Sequence, residues 1–140
     1  MTKAKQVFEK MMERDTFSQW LGIQPLKLEE GECHLQMTIR EEMLNGFDML
    51  HGGVAFAFAD SALAFASNSY GRISPLINGN MVYSKSAKAG DTLRAEAKVF
   101  SISHKKADID VNIYCNDDPE PFYYMRGTVY RTSKEFDIET

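Results

Sequence analysis

The segment HGGVAFAFAD, residues 51–60, joins a pair of glycines to a long apolar run and ends in a carboxylate. Apolar residues resume at once in SALAFA, residues 61–66. The frequent alanines favour a helix over a strand, and the run is longer than a strand requires. We therefore predict a helix from Gly53 to about Tyr70, with Gly71 as its C-terminal cap.

This helix is apolar on nearly every side. From Val54 to Ala66, every residue except Asp60 and Ser61 is apolar. A membrane span needs roughly 20 residues and avoids a central carboxylate, so a buried helix of a soluble domain fits the run better. Other elements must then cover the helix, and a buried carboxylate in it must be paired, protonated or used.

Residues outside the helix supply that cover. Residues 3–14 have the apolar stripe of an amphipathic helix. Alternating apolar and polar residues predict strands at 34–40, 77–87, 91–103, 106–116 and 121–131. The short turns between consecutive strands imply an antiparallel meander, so the fold class is α+β. The polar tail, residues 133–140, is expected to fray.

Composition limits the classes of protein that fit. The 140 residues, 44% of them hydrophobic, suit a single domain, and the net charge of −4 gives no support to a nucleic-acid binder. The charged N-terminus lacks the features of a signal peptide, which predicts a cytoplasmic protein. Cys33 and Cys115 are then expected to be reduced core thiols, and no metal-ligand pattern is present.

The start of the predicted helix has the features of an anion site. Backbone N–H groups at Gly52 and Gly53 are free to donate, and glycine allows a ligand to approach closely. His51 and Asn45 add side-chain donors beside them. This set suits a carbonyl oxygen that gains negative charge during a reaction.

Asp60 is the natural base or nucleophile for such a site, but it lies eight residues after Gly52. At 1.5 Å per residue the separation is about 12 Å along the helix axis, too far to share one substrate atom. Two antiparallel helices side by side would bring Asp60 of one chain to His51 and Gly52 of the other. A two-chain site, built twice about a two-fold axis, is therefore plausible.

Residues 45–71, NGFDMLHGGVAFAFADSALAFASNSYG, resemble the hotdog-fold acyl-CoA thioesterases of the phenylacetic-acid-degradation type. The pattern of that family is an Asn, then His-Gly-Gly, then an Asp on the central helix. AGDTLRAEAKV at 89–99 and RGTVYRT at 126–132 fit it too, so the resemblance covers about residues 15–133. It implies a helix wrapped by a five- or six-stranded sheet, homodimers that commonly pair into homotetramers, and no cofactor beyond the coenzyme A of the substrate.

The resemblance also implies roles for individual residues. Asp60 matches the carboxylate that activates water or attacks the thioester, and the Gly52 amide matches the group that polarises its carbonyl. His51 and Asn45 match residues that position the carbonyl or the water, and Asn80 falls where the family often has Thr or Ser near the catalytic Asp. The residues expected to bind substrate are Gly53, Ser61 and Asn80, together with Lys85 and Lys88, whose ammonium groups could pair with phosphate.

The phosphates of coenzyme A need cations. Lys85, Lys88, His104, Lys105 and Lys106 lie near predicted strand ends, although each also fits an ordinary solvated turn. SKSAKAGD, residues 84–91, departs from the Arg-Pro pattern frequent in the family, which weakens any contact carried over there.

Two other functions stay open at this level. An acyl-thioester dehydratase of the same fold would abstract a proton from carbon, and a non-catalytic module would only bind acyl-CoA. The sequence leaves open the acyl group, aromatic or short- to medium-chain aliphatic, and whether Asp60 acts as base or nucleophile.

Overall fold

Six antiparallel strands form one sheet that wraps around a central helix. The structure, a computed structural model, describes residues 1–139. Its elements are α1 (Lys3–Arg14), α2 (Thr16–Leu21), β1 (Gln24–Glu29), β2 (Glu32–Thr38), α3 (Gly52–Asn68), β3 (Leu76–Tyr83), β4 (Thr92–Ile102), β5 (Lys106–Cys115) and β6 (Tyr123–Tyr130). The strand order is β1-β2-β4-β5-β6-β3. The predicted α+β architecture, one apolar helix inside a curved sheet, is confirmed.

The core lies between α3 and the concave face of the sheet. Alternation along β4 and β5 buries one face of each strand, and those apolar residues pack against α3. Both cysteines are free and buried. None of the helices within residues 1–139 combines the length and apolarity needed to cross a membrane.

One stripe of α3 is left uncovered by its own chain. It consists of Gly53, Ala57, Asp60 and Ala64, whose spacing of three or four residues puts them on one side of the helix. These residues are exposed or half-buried, whereas most of the remaining helix is buried. Asp60 is therefore the one charged residue of α3 and lies on its open side.

The strand order corrects one prediction. Consecutive strands from residue 77 onward were expected to pair, but β3 pairs with β6, and β4 pairs with β2. Only β4, β5 and β6 form the meander. The reason lies in the segment after β3, because Gly90 donates to the Ile39 carbonyl and Ile39 donates to that of Asp91, so β4 enters the sheet beside β2. As a result, β3 is an edge strand.

The ends of the chain also differ from expectation. The region between the first helix and the strand predicted at residue 34, to which no element was assigned, forms α2 and β1. Helix α3 ends at Asn68 with Ser69 as its cap, although Gly71 does take the left-handed φ of 102°. The described part of the polar tail, expected to fray, is bound to the body. Phe136 donates to the Gly71 carbonyl, and Glu139 donates to the Gln6 side chain.

Glycine on β6 sets how closely α3 approaches the sheet. A Cβ atom added to Gly127 would lie 2.6 Å from Leu63 Cδ1 of α3 and 3.2 Å from the backbone oxygen of Asn78. Real Cβ atoms do not approach other atoms as closely as 2.6 Å, so Leu63 would have to move. The contact at 3.2 Å is also tight, and a backbone oxygen does not yield as a side chain does.

Gly127→Ala is therefore expected to lower the free energy of unfolding by about 1–3 kcal/mol, as overpacking of a filled core does. Urea unfolding measures the change. Gly46→Ala is the matched control, because a Cβ there meets nothing within 4 Å. Equal stability of the two variants would contradict the close approach.

Candidate active site

The first amides of α3 are not equivalent. Gly53 donates to Nδ1 of His51 at 2.8 Å, and Val54 donates to the His51 carbonyl at 2.9 Å. Among residues 1–139, no atom accepts the N–H of Gly52. This amide is thus the donor that the helix start leaves available, and it lies at the positive end of the helix dipole.

His51 both caps the helix and keeps a donor of its own. Its Nδ1 accepts from Gly53, so Nδ1 carries no proton and the neutral ring holds its proton on Nε2. The side chain is exposed. The capping function and the predicted donor function are compatible, because they use different ring nitrogens.

Asn45 organises the loop before the helix. Its Oδ1 accepts from the N–H groups of Phe47 and Met49, and its own N–H donates to the Met49 carbonyl at 2.7 Å. Its side-chain oxygen is therefore occupied, whereas its NH₂ group has no acceptor within the described chain. The loop returns beside its own start, since His51 donates to the Met43 carbonyl.

Tyr83, at the end of β3, forms a wall of the helix start. Its hydroxyl donates to the Gly52 carbonyl at 3.2 Å, and a Cβ added to Gly52 would lie 3.3 Å from its ring. The ring also packs edge-on against Tyr123. Nothing in the sequence pattern singled out Tyr83, because an aromatic residue in a strand is ordinary.

Asp60 lies two turns further along α3, about 12 Å from Gly52 by helix rise. Its side chain is half-buried, and no hydrogen bond or ion pair holds its carboxylate within residues 1–139. Burial raises the pKa of Asp60, and the negative charge of Asp15 raises it further. Such a carboxyl binds a proton more strongly than an exposed one, which suits a base.

Two predicted substrate-binding residues point elsewhere. The hydroxyl of Ser61, only 9% exposed, lies 2.8 Å from that of Ser18 on α2. Asn80 pairs with Arg126 in the register, next to Gly127, which faces α3. Since successive strand residues point to opposite faces, Asn80 lies on the outer face of the sheet and not near Asp60. The expected position near the catalytic Asp is wrong for Asn80.

The predicted phosphate-binding lysines lie beside carboxylates. The ammonium group of Lys85 is 3.0 Å from Asp118 and 3.9 Å from Glu120. Lys88 donates its backbone N–H to Asp91. Both lysines belong to the loop whose Ala87 carbonyl accepts from Leu50, so they lie near the helix start of their own chain. Gly53, whose N–H donates to Nδ1 of His51, lies at the same helix start.

A second group of cations, the cationic corner, lies at the opposite end of β3. It lines a cleft of about 370 Å³ and comprises Arg72, His104, Lys105 and Arg131, with Glu135 as the one acidic residue of the lining. Arg72 donates to the carbonyls of Thr132, Arg131 and His104, and Arg131 donates to that of Ser103.

The two guanidinium groups of the corner lie without a carboxylate partner among residues 1–139, and Nε of Arg131 is buried with no partner there. Burial and the charge of Arg72 lower the pKa of Arg131. Two like charges held rigidly together favour an anion between them. The sequence pattern suggested His104 and Lys105 but gave no signal for the arginines, which come together only through the fold.

The chain matches known proteins over most of its length. The family model described as "Thioesterase superfamily" matches residues 47–122. A putative esterase of Archaeoglobus fulgidus is 33% identical over 132 residues, 94% of this chain and 85% of the relative. The acyl-coenzyme A thioesterase PaaI of Escherichia coli is 33% identical over 129 residues, 92% of this chain and 91% of the relative.

The fold matches as well. The solved structure of the Escherichia coli PaaI protein from the phenylacetic acid degradation operon superposes with a TM-score of 0.91 at 32% sequence identity. The match covers 95% of this chain and 96% of that chain.

Proposed function

The chain belongs to the thioesterase superfamily, and from this premise we propose that it hydrolyses an acyl-CoA thioester to the free acid and coenzyme A. The predicted family and its hotdog fold are confirmed, and the chain is a thioester hydrolase. The observation that carries the proposal is the unpartnered amide of Gly52 at the start of a helix whose open side carries an unpaired Asp60.

The proposed site is shared by two chains. Strand β3 has an open edge, and its exposed residues include Ile77, Val82 and Tyr83. Free strand edges that carry apolar side chains pair readily with another chain. Antiparallel pairing of two β3 edges about a two-fold axis would also lay the open stripes of two α3 helices side by side, and Gly53, Ala57 and Ala64 are small enough for close contact.

In that dimer the helices run in opposite directions, so Asp60 faces the helix start of the partner. The thioester carbonyl oxygen would accept from the partner's Gly52 amide. Nε2 of the partner's His51 and the NH₂ group of the partner's Asn45 would be further donors. These donors stabilise the oxyanion that forms when the carbonyl carbon is attacked.

Two routes then complete the hydrolysis. Asp60 either takes a proton from water, whose oxygen attacks the carbonyl carbon, or attacks that carbon itself to give an anhydride that water cleaves. In both routes the carbon–sulfur bond breaks and the thiolate of coenzyme A leaves. Neither route calls for a metal or a separate cofactor.

We propose that the acyl group lies along Phe56. Of the phenylalanines on α3, Phe58 and Phe65 are buried in the core, whereas Phe56 is half-buried and lies one turn before Asp60. Its ring edge, atom Cζ, is 3.6 Å from where a Cβ of Gly79 would be, so an apolar wall continues from the helix to β3. Such a wall suits an aryl or a short to medium alkyl chain.

We propose that the phosphates of coenzyme A bind the cationic corner. Tyr83 at the end of β3 contacts Gly52, whereas the cationic corner lies at the start of β3, where Tyr130 donates to the Pro75 carbonyl. Antiparallel pairing puts the end of one β3 beside the start of the other. The corner of one chain would thus lie next to the partner's Gly52, on the same side as the thioester it holds.

Arg131→Gln is expected to raise the KM for an acyl-CoA about tenfold, because a hydrogen bond to a charged group contributes about 1.5–3 kcal/mol. The KM for the corresponding acyl-pantetheine, which has no nucleotide phosphates, should not change. Lys85→Gln is the matched control, because Lys85 is already neutralised by Asp118. A larger effect from Lys85→Gln than from Arg131→Gln would contradict this proposal and would indicate that the phosphates bind the loop that carries Lys85.

A thiol-release assay over a panel of aryl- and alkyl-CoA esters tests the function and identifies the acyl group. Free coenzyme A and free acid in equal amounts support hydrolysis. An enoyl thioester as product would identify a dehydratase, and tight acyl-CoA binding without thiol release would identify a binding module. Either of those outcomes overturns the proposal.

A further inference from the structure

A chain of hydrogen bonds connects α2 to the helix that carries Asp60. Asp15 caps α2, and its carboxylate accepts from the N–H of Ser18 at 2.9 Å and from the Ser18 hydroxyl at 2.6 Å. The Ser18 hydroxyl lies 2.8 Å from that of Ser61 on α3. Because Ser18 gives its proton to Asp15, Ser61 must donate to Ser18.

This chain is built into the core and not onto the surface. Ser18 is 1% exposed, and Ser61 is 9% exposed. Buried hydroxyl groups fix the geometry around them when every member has a partner. Ser61 directly follows Asp60 in α3, so the link holds the turn that carries the proposed catalytic carboxylate.

We propose that Asp15 is a positioning residue of the thioester-cleaving site, which fixes the Asp60 turn through Ser18 and Ser61 and sets a negative charge beside the Asp60 carboxyl. This inference rests on the proposed function for its catalytic meaning. Asp15 would strengthen Asp60 as a proton acceptor without contacting the substrate.

The surroundings of Asp60 make Asp15 the charge that acts on it. Asp60 is the only charged residue of α3, and the charged side chains of α1, namely Lys3, Lys5, Glu9, Lys10, Glu13 and Arg14, are all exposed. The strand faces that pack against α3 are apolar, and the titratable residues on them are Cys33, Cys115, Tyr83 and Tyr123. In the proposed dimer, His51 of the partner subunit also faces Asp60.

Burial is the main cause that raises the pKa of Asp60, and Asp15 is the second. Asp15→Asn keeps the α2 cap, since Asn caps a helix as well as Asp does. It removes the charge and also replaces the oxygen that accepts from the Ser18 hydroxyl with an NH₂ group. Glu13→Gln removes an equal charge two residues away on the exposed face of α1 and is the matched control. Ser61→Ala breaks the hydrogen-bonded chain and keeps the charge.

The direct measurement is a ¹³C NMR titration of the Asp60 carboxyl carbon, assigned by its loss in Asp60→Asn. Asp15→Asn should move the midpoint to lower pH, and Glu13→Gln should leave it in place. Ser61→Ala should also leave it in place while kcat falls. An unchanged midpoint in Asp15→Asn, or an equal shift in Ser61→Ala or Glu13→Gln, overturns the inference.

Kinetics provides the second measurement. Because Asp60 must be unprotonated to act, the ratio of kcat/KM for Asp15→Asn to that for wild type should rise as the pH falls through the wild-type midpoint of Asp60, by up to about tenfold for each pH unit by which the midpoint moves. A flat ratio with active enzyme overturns the catalytic role of Asp15 and leaves the thioesterase standing. A wild-type enzyme that releases no thiol refutes the proposed function, and the carboxyl titration still decides whether Asp15 acts on Asp60.

Discussion

Asp60→Asn is expected to abolish thioester hydrolysis, with a loss of about a thousandfold or more in kcat/KM. An amide can neither take a proton from water nor attack a carbonyl carbon, so both proposed routes stop. The Gly52 amide and the cationic corner stay intact, and acyl-CoA should still bind. Thiol release measures the loss, and calorimetric titration with a non-hydrolysable acyl-CoA analogue measures binding.

The same substitution should stabilise the fold. The folded state raises the pKa of Asp60 above its unfolded value, so ionisation of Asp60 disfavours folding at neutral pH. Asn carries no charge to bury, and the variant should melt at a higher temperature than wild type at pH 7. The difference should shrink as the pH falls through the raised pKa of folded Asp60 and should vanish below the unfolded pKa of Asp, where wild type is neutral as well. Loss of activity with a gain in stability is typical of a functional carboxylate.

Asp48→Asn is the matched control for this experiment. Asp48 is exposed on the loop before α3 and has a left-handed φ of 61°, which Asn tolerates as well as Asp does. Its activity should match wild type. If Asp60→Asn keeps more than a tenth of the wild-type rate, the carboxylate is not the reacting group and the mechanism is wrong.

The sequence was sufficient to predict the central helix, the glycine pair at its start and the carboxylate within its apolar run. Each depends on local pattern, because apolar periodicity and glycine position act over a few residues. The separation of Gly52 and Asp60 even indicated a second chain, since helix rise is a fixed length.

The other features of the candidate site could not be predicted from the sequence, because they depend on the tertiary fold. The expected position of Asn80 came from the family resemblance, but one residue of register decides which face of the sheet a side chain occupies. Arg72 and Arg131 are 59 positions apart and meet only because β3 lies beside β6. The link from Asp15 through Ser18 to Ser61 spans a helix to which no sequence pattern pointed.

Gly52→Pro is expected to lower kcat about 10²–10³-fold, the loss typical of one oxyanion donor. Proline lacks the N–H group, and the first position of a helix is the place where helices accept it. Gly52 occupies that position, and His51 before it has φ −60° and ψ 131°, the extended conformation that a following proline requires. The substitution thus removes the proposed donor and leaves the helix free to form.

Gly52→Ala distinguishes the effect of losing the amide N–H group from the effect of crowding near Tyr83. Its Cβ would meet the Tyr83 ring at 3.3 Å, as the proline ring also would, but Ala keeps the N–H group. The oxyanion function requires Gly52→Pro to be far less active than Gly52→Ala, by about a hundredfold. Equal losses would mean that the space near Tyr83 matters and the amide does not.

The two inactive variants together test whether the site is shared. If Gly52 and Asp60 act across the interface, a mixed dimer of Gly52→Pro and Asp60→Asn has one site with both functional groups and one with neither. Co-expression in equal amounts gives about half mixed dimers, so about a quarter of wild-type activity should return, although each parent is inactive. If each chain uses its own helix start and its own carboxylate, every site carries a defect and no activity returns. Helix rise already excludes that second arrangement for a single substrate oxygen, because about 12 Å separate the two groups on one chain.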